Sequence, residues 1–344
     1  MTTTTIDGAA VTKRALHEIS RGYLKTALLR TAIDLRLFDT LADGAEVGAL
    51  APALSVDERA LRIVLDGLTA IGLLRKDGTR YLLAPGSEEF LLSSSPHYFG
   101  GAVRLGASDW EWDAQRRLTD AVRKGGTVLE EHYLTPELAY WEDFAEHTTW
   151  FNNGAADVLA DQLVPWAKGR DGVDVLDVAA SHGAYGFSFA RREPRARIWC
   201  LDWPNVLTHT RRNAERFGLT DRVNVIPGDM FSVPLGGPYD IALVTNVLHH
   251  FTEETAVRLM TRISTAVKPG GRVVVVGHTF REGEDPRQNP MPFLFSVSML
   301  AQTHDGETHS VGAYQRILEA SGFTGTRLHT GPAAQHTVFI AEKS

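Results

Sequence analysis

Short apolar runs alternate with helix-forming stretches from residue 173 to the end of the chain, and this alternation constrains the fold most strongly. The predicted strands are 173–178, 196–201, 223–226, 239–245, 272–277, 326–329 and 337–341. Apolar runs separated by helices are typical of a parallel sheet that helices cover on both faces. We therefore predict a doubly wound, Rossmann-like α/β domain over residues 169–344, with ligands at the carboxyl ends of its strands.

The residues before this domain have a different pattern. Apolar residues recur at helical spacing between positions 20 and 41, and residues 55–59, Ser-Val-Asp-Glu-Arg, supply an N-cap for a second amphipathic helix. Residues 73–83 then indicate a strand, an Asp-Gly turn and a second strand. Helices followed by a hairpin predict a winged-helix domain over residues 1–100, with a structural or dimerising role. Residues 101–168 are helical and rich in aromatic side chains, which favours a linker or substrate lid.

Composition excludes several classes of protein. The chain of 344 residues has a net charge of −7, and its first 100 residues hold 11 Lys and Arg against 12 Asp and Glu, so no nucleic-acid partner is expected. The single cysteine, Cys200, cannot form an internal disulfide bond. Because there is neither a secretory signal pattern nor a run of about 20 apolar residues, we expect a cytoplasmic protein with no membrane partner.

The residues that follow the first two predicted strands are suited to a nucleotide-like ligand. Asp177 is followed by small residues up to Gly186, which let the backbone approach a ligand and begin a helix whose amides face it. Asp202 ends the second strand, where one carboxylate can accept hydrogen bonds from both hydroxyls of a ribose. Each signal is weak alone, because dinucleotide-binding sites have similar residues.

The third and fourth predicted strands also end in polar residues of defined chemistry. After the third strand, Asp229 can accept a hydrogen bond from an adenine amino group, while Met230 and Phe231 offer an apolar surface to the ring. The fourth strand is followed by residues 245–251, Thr-Asn-Val-Leu-His-His-Phe. Lys-Pro-Gly-Gly-Arg at 268–272 then leads into the fifth strand.

In this order and at this spacing, these motifs resemble those of class I S-adenosylmethionine-dependent methyltransferases. With the winged-helix region in front, the chain is similar to the small-molecule O-methyltransferases of plants and of bacterial secondary metabolism. The resemblance covers nearly the whole chain. It implies a homodimer held by the N-terminal domain, S-adenosylmethionine bound to the C-terminal domain and released as S-adenosylhomocysteine, and a small acceptor, aromatic or polyketide-like, between the domains.

The resemblance also implies roles for individual residues, namely ribose binding by Asp202, adenine contacts by Asp229 and Met230, and a methionine-side loop around Ala179 and Gly183. The full predicted cofactor set is Asp177, Ala179, Gly183, Asp202, Asp229, Met230, Phe231 and Asn246. His249 corresponds to the family's general base, and His250 beside it is the second candidate catalytic residue. Histidine suits this role because it titrates in the range needed to accept a hydroxyl proton.

Three departures from the family pattern affect these expectations. Residues 179–181, Ala-Ala-Ser, stand where glycines are common. Residues 151–155 lack the methionine that plant members use to clamp the acceptor, so the acceptor class cannot be taken from plants. His278 stands where a glutamate often supports the catalytic histidine. The predicted acceptor-binding residues are Trp150, Phe151, Phe295 and Met299.

Other functions stay open at this stage. A group of histidines with the ligand chemistry of Zn or Fe(II) would suit metal-assisted C-methylation of an α-keto acid. These residues are His249, His250, His278, His304 and His309. The missing glutamate and methionine would also suit a protein that binds S-adenosylmethionine but catalyses a cyclisation or another reaction. A DNA-binding regulator is disfavoured by the charge, and a dehydrogenase does not account for the residues after the third and fourth strands.

Overall fold

The computed structural model describes residues 11–148, 153–331 and 336–344. The chain forms two compact units, Met1–Trp112 and Asp113–Ser344. Within the described ranges, none of the helices combines the length and the apolar composition that crossing a membrane requires.

The first unit is mainly helical and carries a small antiparallel sheet. Its helices are α1 (Lys13–Ser20), α2 (Gly22–Asp34), α3 (Leu37–Thr40), α4 (Val47–Leu54), α5 (Glu58–Ala70), α6 (Ser87–Leu91) and α7 (Gly100–Gly106), and α8 (Asp109–Arg116) spans the division between the units. Its strands are β1 (Ala45–Glu46), β2 (Leu74–Asp77) and β3 (Arg80–Leu83), in the order β1-β3-β2. Asp57 caps α5, its side chain accepting a hydrogen bond from the backbone N–H of Ala60 at 2.8 Å. The predicted helices and hairpin are therefore confirmed.

The second unit contains a seven-stranded sheet with helices on both faces. Its helices are α9 (Leu118–Lys124), α10 (Tyr140–His147), α11 (Asn153–Ala167), α12 (Ala184–Arg192), α13 (Val206–Arg216), α14 (Glu253–Thr265), α15 (Pro290–Gln302) and α16 (Val311–Ala320). Its strands are β4 (Val173–Val178), β5 (Ala196–Asp202), β6 (Val223–Pro227), β7 (Tyr239–Thr245), β8 (Val267–Gly277), β9 (Phe323–His329) and β10 (Thr337–Lys343).

The strand order is β6-β5-β4-β7-β8-β10-β9, and the first five of these strands are parallel. The chain runs from β4 out to β6 and then returns to place β7 on the other side of β4. The carboxyl ends of β4 and β7 are therefore neighbours at the switch point, where ligands bind in such sheets.

The last strand in sequence, β10, departs from the predicted parallel sheet, because it is antiparallel to both β8 and β9. Only seven residues separate His329 from Thr337. A parallel crossover needs a dozen or more residues, so this connection permits only an antiparallel return.

Two apolar clusters cover the two faces of the sheet. One contains residues of α11 and α12, and the other contains residues of α14 and α16. Neighbouring residues of β4 belong to different clusters, Val175 to the first and Leu176 to the second. This alternation explains why the strand sequences are apolar throughout, and it leaves the strand ends as the place for polar groups.

Candidate active site at the carboxyl ends of β4 to β7

The loop between β4 and α12 contains three residues with positive φ angles, which residues other than glycine rarely adopt. Ala179, Ser181 and Gly183 have φ angles of 53°, 50° and 77°. Glycine adopts such angles without steric cost, which is the physical reason that glycine suits these positions. Ala179 and Ser181 thus keep the turn that glycines would make, and the Ser181 N–H donates to the Asp202 carboxylate at 2.7 Å. The loop and the end of β5 are joined by this bond.

Asp177, near the end of β4, is a buried carboxyl group with one unused oxygen. Its Oδ2 accepts from the Gly186 N–H at 3.3 Å, whereas Oδ1 has no partner among the described residues. Burial raises the pKa of Asp177 to about 8. A Cβ on Gly186 would lie 2.8 Å from Oδ2, so glycine is required for this close approach.

Asp202, the last residue of β5, is held by backbone donors on both oxygens. Its Oδ2 accepts from Ser181, and its Oδ1 accepts from the N–H of Trp203 at 2.7 Å. Burial raises the pKa of this carboxyl to about 6. Since each carboxylate oxygen has two lone pairs, both oxygens can still accept from vicinal hydroxyls.

The turn after β6 contains the predicted adenine-side residues. Asp229 Oδ1 accepts from the N–H of Phe231 at 3.0 Å, which fixes the turn. Met230 and Phe231 are half-buried against the apolar cluster of α14, and the Phe231 ring lies 5.2 Å from that of Phe251. Arg262 of α14 donates from Nε to the carbonyl oxygen of Met230 at 3.0 Å. This arginine support was not predicted from the sequence.

Asn246 follows β7 with a φ of 53° and is held on two sides. Its backbone N–H donates to the Val276 carbonyl oxygen at 2.7 Å, and its Nδ2 donates to the Tyr185 hydroxyl at 2.8 Å. Its Oδ1 is buried and has no partner in the described part of the chain. The arrangement therefore presents a fixed, unused acceptor beside the end of β4.

These features meet the polar requirements of S-adenosylmethionine. Asp177 Oδ1, Ser181 Oγ and Asn246 Oδ1 are buried without a partner among the described residues. Buried polar atoms are normally hydrogen-bonded, so three such atoms at one edge fit the ammonium and carboxylate groups of a ligand. Asp202 fits a ribose, and the apolar side chains of Met230 and Phe231 fit a purine. The residues present can therefore hold this cofactor.

His249 lies in a 3-10 turn, Leu248–His250, three residues beyond Asn246. Its side chain is buried, its Nδ1 has no partner among the described residues, and its ring lies 4.8 Å from that of Phe295 and 4.6 Å from that of His250. Burial, and secondarily the neighbouring imidazoles, lower the pKa of His249 well below 6.5. The imidazole is thus neutral at neutral pH and able to accept a proton.

His250 has aromatic surroundings. Its ring lies 5.2 Å from Tyr133 and 5.6 Å from Trp141, and burial lowers its pKa to about 3. These neighbours come from the segment around α10, which lies in the aromatic-rich region that the sequence indicated as a linker or substrate lid. His250 therefore belongs to a packed aromatic cluster.

The predicted acceptor-binding residues are in different situations. The Phe295 ring contacts both His249 and His278, at 4.8 and 4.5 Å between ring centroids. Met299 lies on the same helix, α15, and is fully buried, with its carbonyl oxygen accepting from the N–H of Thr303 at 2.8 Å. Trp150 and Phe151 lie outside the described residues.

The five histidines considered as metal ligands differ in their packing partners, although His249 contacts His250 and the Phe295 ring lies against both His249 and His278. His304 packs edge-on against His132 at 4.2 Å, His278 lies 4.2 Å from His336, and His309 Nε2 lies 3.2 Å from the Leu248 carbonyl oxygen. Among the residues that the structure describes, no group of three or more His, Cys, Asp or Glu side chains is arranged to hold a metal ion.

Two family models match the chain. A model of the O-methyltransferase domain matches residues 115–324, and a model of the O-methyltransferase dimerisation domain matches residues 17–93.

Individual proteins are similar along nearly the whole chain. The tetracenomycin polyketide synthesis 8-O-methyl transferase TcmO of Streptomyces glaucescens is 28% identical over 334 residues, covering 95% of each chain. The N,N-dimethyltransferase OxyT of Streptomyces rimosus is 31% identical over 346 residues, covering 94% of each. The crystal structure of a candidate O-methyltransferase of Nostoc punctiforme has a TM-score of 0.89 at 30% identity, covering 97% of this chain and 100% of that one.

Proposed function

The chain belongs to the family of S-adenosylmethionine-dependent O-methyltransferases, and from that premise we propose that it methylates a hydroxyl group of a small aromatic or polyketide-like acceptor, with His249 as the general base. The observation that carries the proposal is the position of a buried, neutral imidazole beside the ligand-binding edge of the sheet. Asn246, three residues earlier, supplies one of the unused acceptors that fit the cofactor. The short segment from Asn246 to His249 thus connects the proposed cofactor-binding part of the site to the proposed catalytic residue.

The cofactor-binding residues have distinct parts in this proposal. Asp202 would hold the ribose hydroxyls, because its two oxygens are already oriented by backbone donors. Asp177 and Asn246 would receive the ammonium group on their unused oxygens. Asp229, Met230 and Phe231 would receive the adenine. Holding the cofactor at both ends fixes its methyl group relative to the acceptor, which is the main requirement of the reaction.

When bound, S-adenosylmethionine would supply an electrophilic methyl group to an acceptor oxygen in line with the carbon–sulfur bond, and S-adenosylhomocysteine would be the leaving group. A neutral hydroxyl is a poor nucleophile, so His249 accepts its proton as the new oxygen–carbon bond forms. Burial holds the pKa of His249 well below 6.5, so the imidazole is unprotonated at neutral pH. The Phe295 ring beside His249 would pack on the acceptor, and we propose that Met299 on the same helix also contacts it. The acceptor contacts of Trp150 and Phe151 stay predictions from the sequence.

The test is a product assay with matched acceptors. The enzyme, S-adenosylmethionine and pairs of aromatic acceptors that differ only in a hydroxyl or an amino group are incubated, and products are analysed by mass spectrometry. We expect a gain of one methyl on hydroxyl acceptors, with equimolar S-adenosylhomocysteine. Turnover of amino acceptors alone would instead support N-methylation, a second candidate suggested by the similarity to OxyT. Formation of a rearranged acceptor without S-adenosylhomocysteine would contradict both.

We also propose that the first unit joins two copies of the chain. Helix α1 has no buried residue, and Leu16, Ile19 and Tyr23 expose more than half of their surface. A groove of about 600 Å³ opens on the same unit and is lined mainly by apolar residues of α2, α5 and α7. Exposed apolar surface of this kind is typical of an interface. Light scattering of a Leu16→Gln, Ile19→Gln variant is expected to show monomers where the wild-type protein shows dimers; a dimeric variant would contradict this interface.

A further inference from the structure

Helix α10 and the loop after β4 are joined by contacts that the proposed mechanism does not use. The Phe144 ring of α10 stacks on that of His182, with centroids 6.0 Å apart and planes 17° apart. His182 lies between Ser181 and Gly183, in the loop that carries the buried Ser181 Oγ, which has no partner among the described residues. The imidazole is buried, and burial lowers its pKa to about 4, so Phe144 packs against a neutral ring.

Helix α13 holds the same loop through its backbone. Asn213 Nδ2 donates to the His182 carbonyl oxygen at 3.0 Å, and the Thr210 hydroxyl donates to the Ser181 carbonyl oxygen. Two consecutive residues of the cofactor loop are therefore bonded to α13, while the His182 side chain is covered by α10. Side chains of α13 therefore hold the loop backbone, and Phe144 of α10 packs on the His182 side chain.

Polar side chains then connect α10 directly to α13. Glu146 Oε2 lies 2.8 Å from His209 Nδ1 and accepts from Arg212 Nη1 at 3.0 Å. One turn earlier on α10, Glu142 Oε1 accepts from Asn205 Nδ2 at 2.8 Å. The two carboxylates thus connect α10 to both the beginning and the later turns of α13.

We propose that Glu146 and Phe144 are positioning residues for the cofactor loop: the Glu146 contacts with α13 keep α10 in place, so that Phe144 holds His182, and with it Ser181, in the geometry that receives the methionine part of S-adenosylmethionine. This inference rests on the proposed function only for the identity of the cofactor. It requires no particular acceptor and no role for His249.

The size of the effect follows from the exposure of the carboxylate. Glu146 is partly exposed, so each of its contacts contributes little, and the pair together corresponds to a change of about three- to tenfold in affinity. Phe144→Leu removes the stacked ring directly but keeps an apolar side chain, and we expect an effect of the same size or larger.

The experiment measures S-adenosylhomocysteine binding by calorimetry, without an acceptor, in Glu146→Gln, Glu146→Asp and Phe144→Leu. We expect Kd to rise about three- to tenfold for Glu146→Gln and Phe144→Leu, with partial recovery in Glu146→Asp, and faster hydrogen exchange in residues 179–183. In steady state, KM for S-adenosylmethionine should rise by the same factor, while kcat stays within about twofold of wild type.

The matched control is Asp174→Asn, which removes a partly buried carboxylate paired with Arg197 at the amino end of β4. We expect no change in Kd there. Unchanged Kd in both Glu146→Gln and Phe144→Leu would overturn the inference, whatever happens to Tm. A wild-type protein that binds no S-adenosylhomocysteine would instead contradict the proposed function itself.

Discussion

The polar groups at the two ends of the parallel sheet differ in whether they have hydrogen-bond partners within the described residues. At the amino ends, Asp240 accepts from the Asp174 N–H at 2.9 Å and from Lys268 Nζ at 2.8 Å, and Asp174 pairs with Arg197 at 2.7 Å. At the carboxyl ends, Asp177 and Asn246 each keep a buried oxygen without a partner among the described residues. Polar groups at the first end pair with one another, whereas those at the second keep unused acceptors of the kind that a ligand can satisfy.

The unpartnered oxygens at the carboxyl ends lower the stability of the unliganded protein. A buried acceptor without a partner loses its hydrogen bonds to water and gains none from the protein, which destabilises the fold by about 1–3 kcal/mol for each group. A ligand that supplies the missing donors recovers part of this free energy as affinity. The comparison therefore predicts that substitutions at the amino ends change stability and that those at the carboxyl ends change binding or catalysis.

The largest expected effect is on catalysis, in the variant His249→Gln. Removing the base is expected to lower kcat by about 10²–10⁴. The Kd of S-adenosylhomocysteine should stay within about threefold of wild type, because the cofactor is held by other residues. The two quantities are measured by single-turnover kinetics and calorimetry. A variant with wild-type kcat would remove His249 from the mechanism.

The next effect is on stability, in the variant Asp240→Ala. This change leaves the Asp174 N–H and Lys268 without their acceptor, and we expect the free energy of unfolding to fall by about 1–3 kcal/mol. Urea denaturation measures it. Cofactor affinity at the opposite end of the sheet should be unaffected, and a large loss of affinity with unchanged stability would contradict the division between the two ends.

A smaller effect is expected from pH. The pKa of Asp177 is raised from 3.8 to about 8 in the folded protein, so the carboxyl is mostly protonated at pH 7. Its contribution to the stability of the unliganded fold is fully present below pH 3.8 and is lost as the pH rises through about 8. A bound ammonium favours the ionised form, so cofactor binding at pH 7 should release a proton from Asp177.

Two observations check this pH dependence. Affinity for S-adenosylmethionine should rise about 25-fold between about pH 6.5 and 8.5, because the pKa of Asp177 lies near 8. Calorimetry at pH 7 in buffers of different ionisation enthalpy should detect nearly one released proton, and Asp177→Asn should abolish it. Equal proton release in wild type and variant would show that Asp177 does not meet the cation.

The positions of the strand ends can be predicted from the sequence, because an apolar run stops where its strand leaves the core. Asp202 and His249 follow such runs, and the structure places both at the carboxyl edge. The antiparallel β10 was not predicted, although the seven residues between His329 and Thr337 carry the signal. A connection of this length between two strands indicates an antiparallel pair, whatever the apolar pattern of the strands.

Other features depend on contacts between distant parts of the chain. Ala179 and Ser181 give no local sign of a positive φ, because that conformation is imposed by bonds such as the one from Ser181 to Asp202. His304 lies five residues before His309 in sequence, yet it packs against His132 from the segment before α10. The contacts of Glu146 with α13 likewise join residues 63 and 66 positions apart.

The same substitution at the two ends of one strand tests the central claim most directly. Asp177→Asn and Asp174→Asn each remove one carboxylate from β4, and calorimetry gives the Kd of S-adenosylhomocysteine for both. We expect Kd to rise about tenfold or more for Asp177→Asn and to change within about twofold for Asp174→Asn. Equal Kd values in the two variants would contradict the central claim.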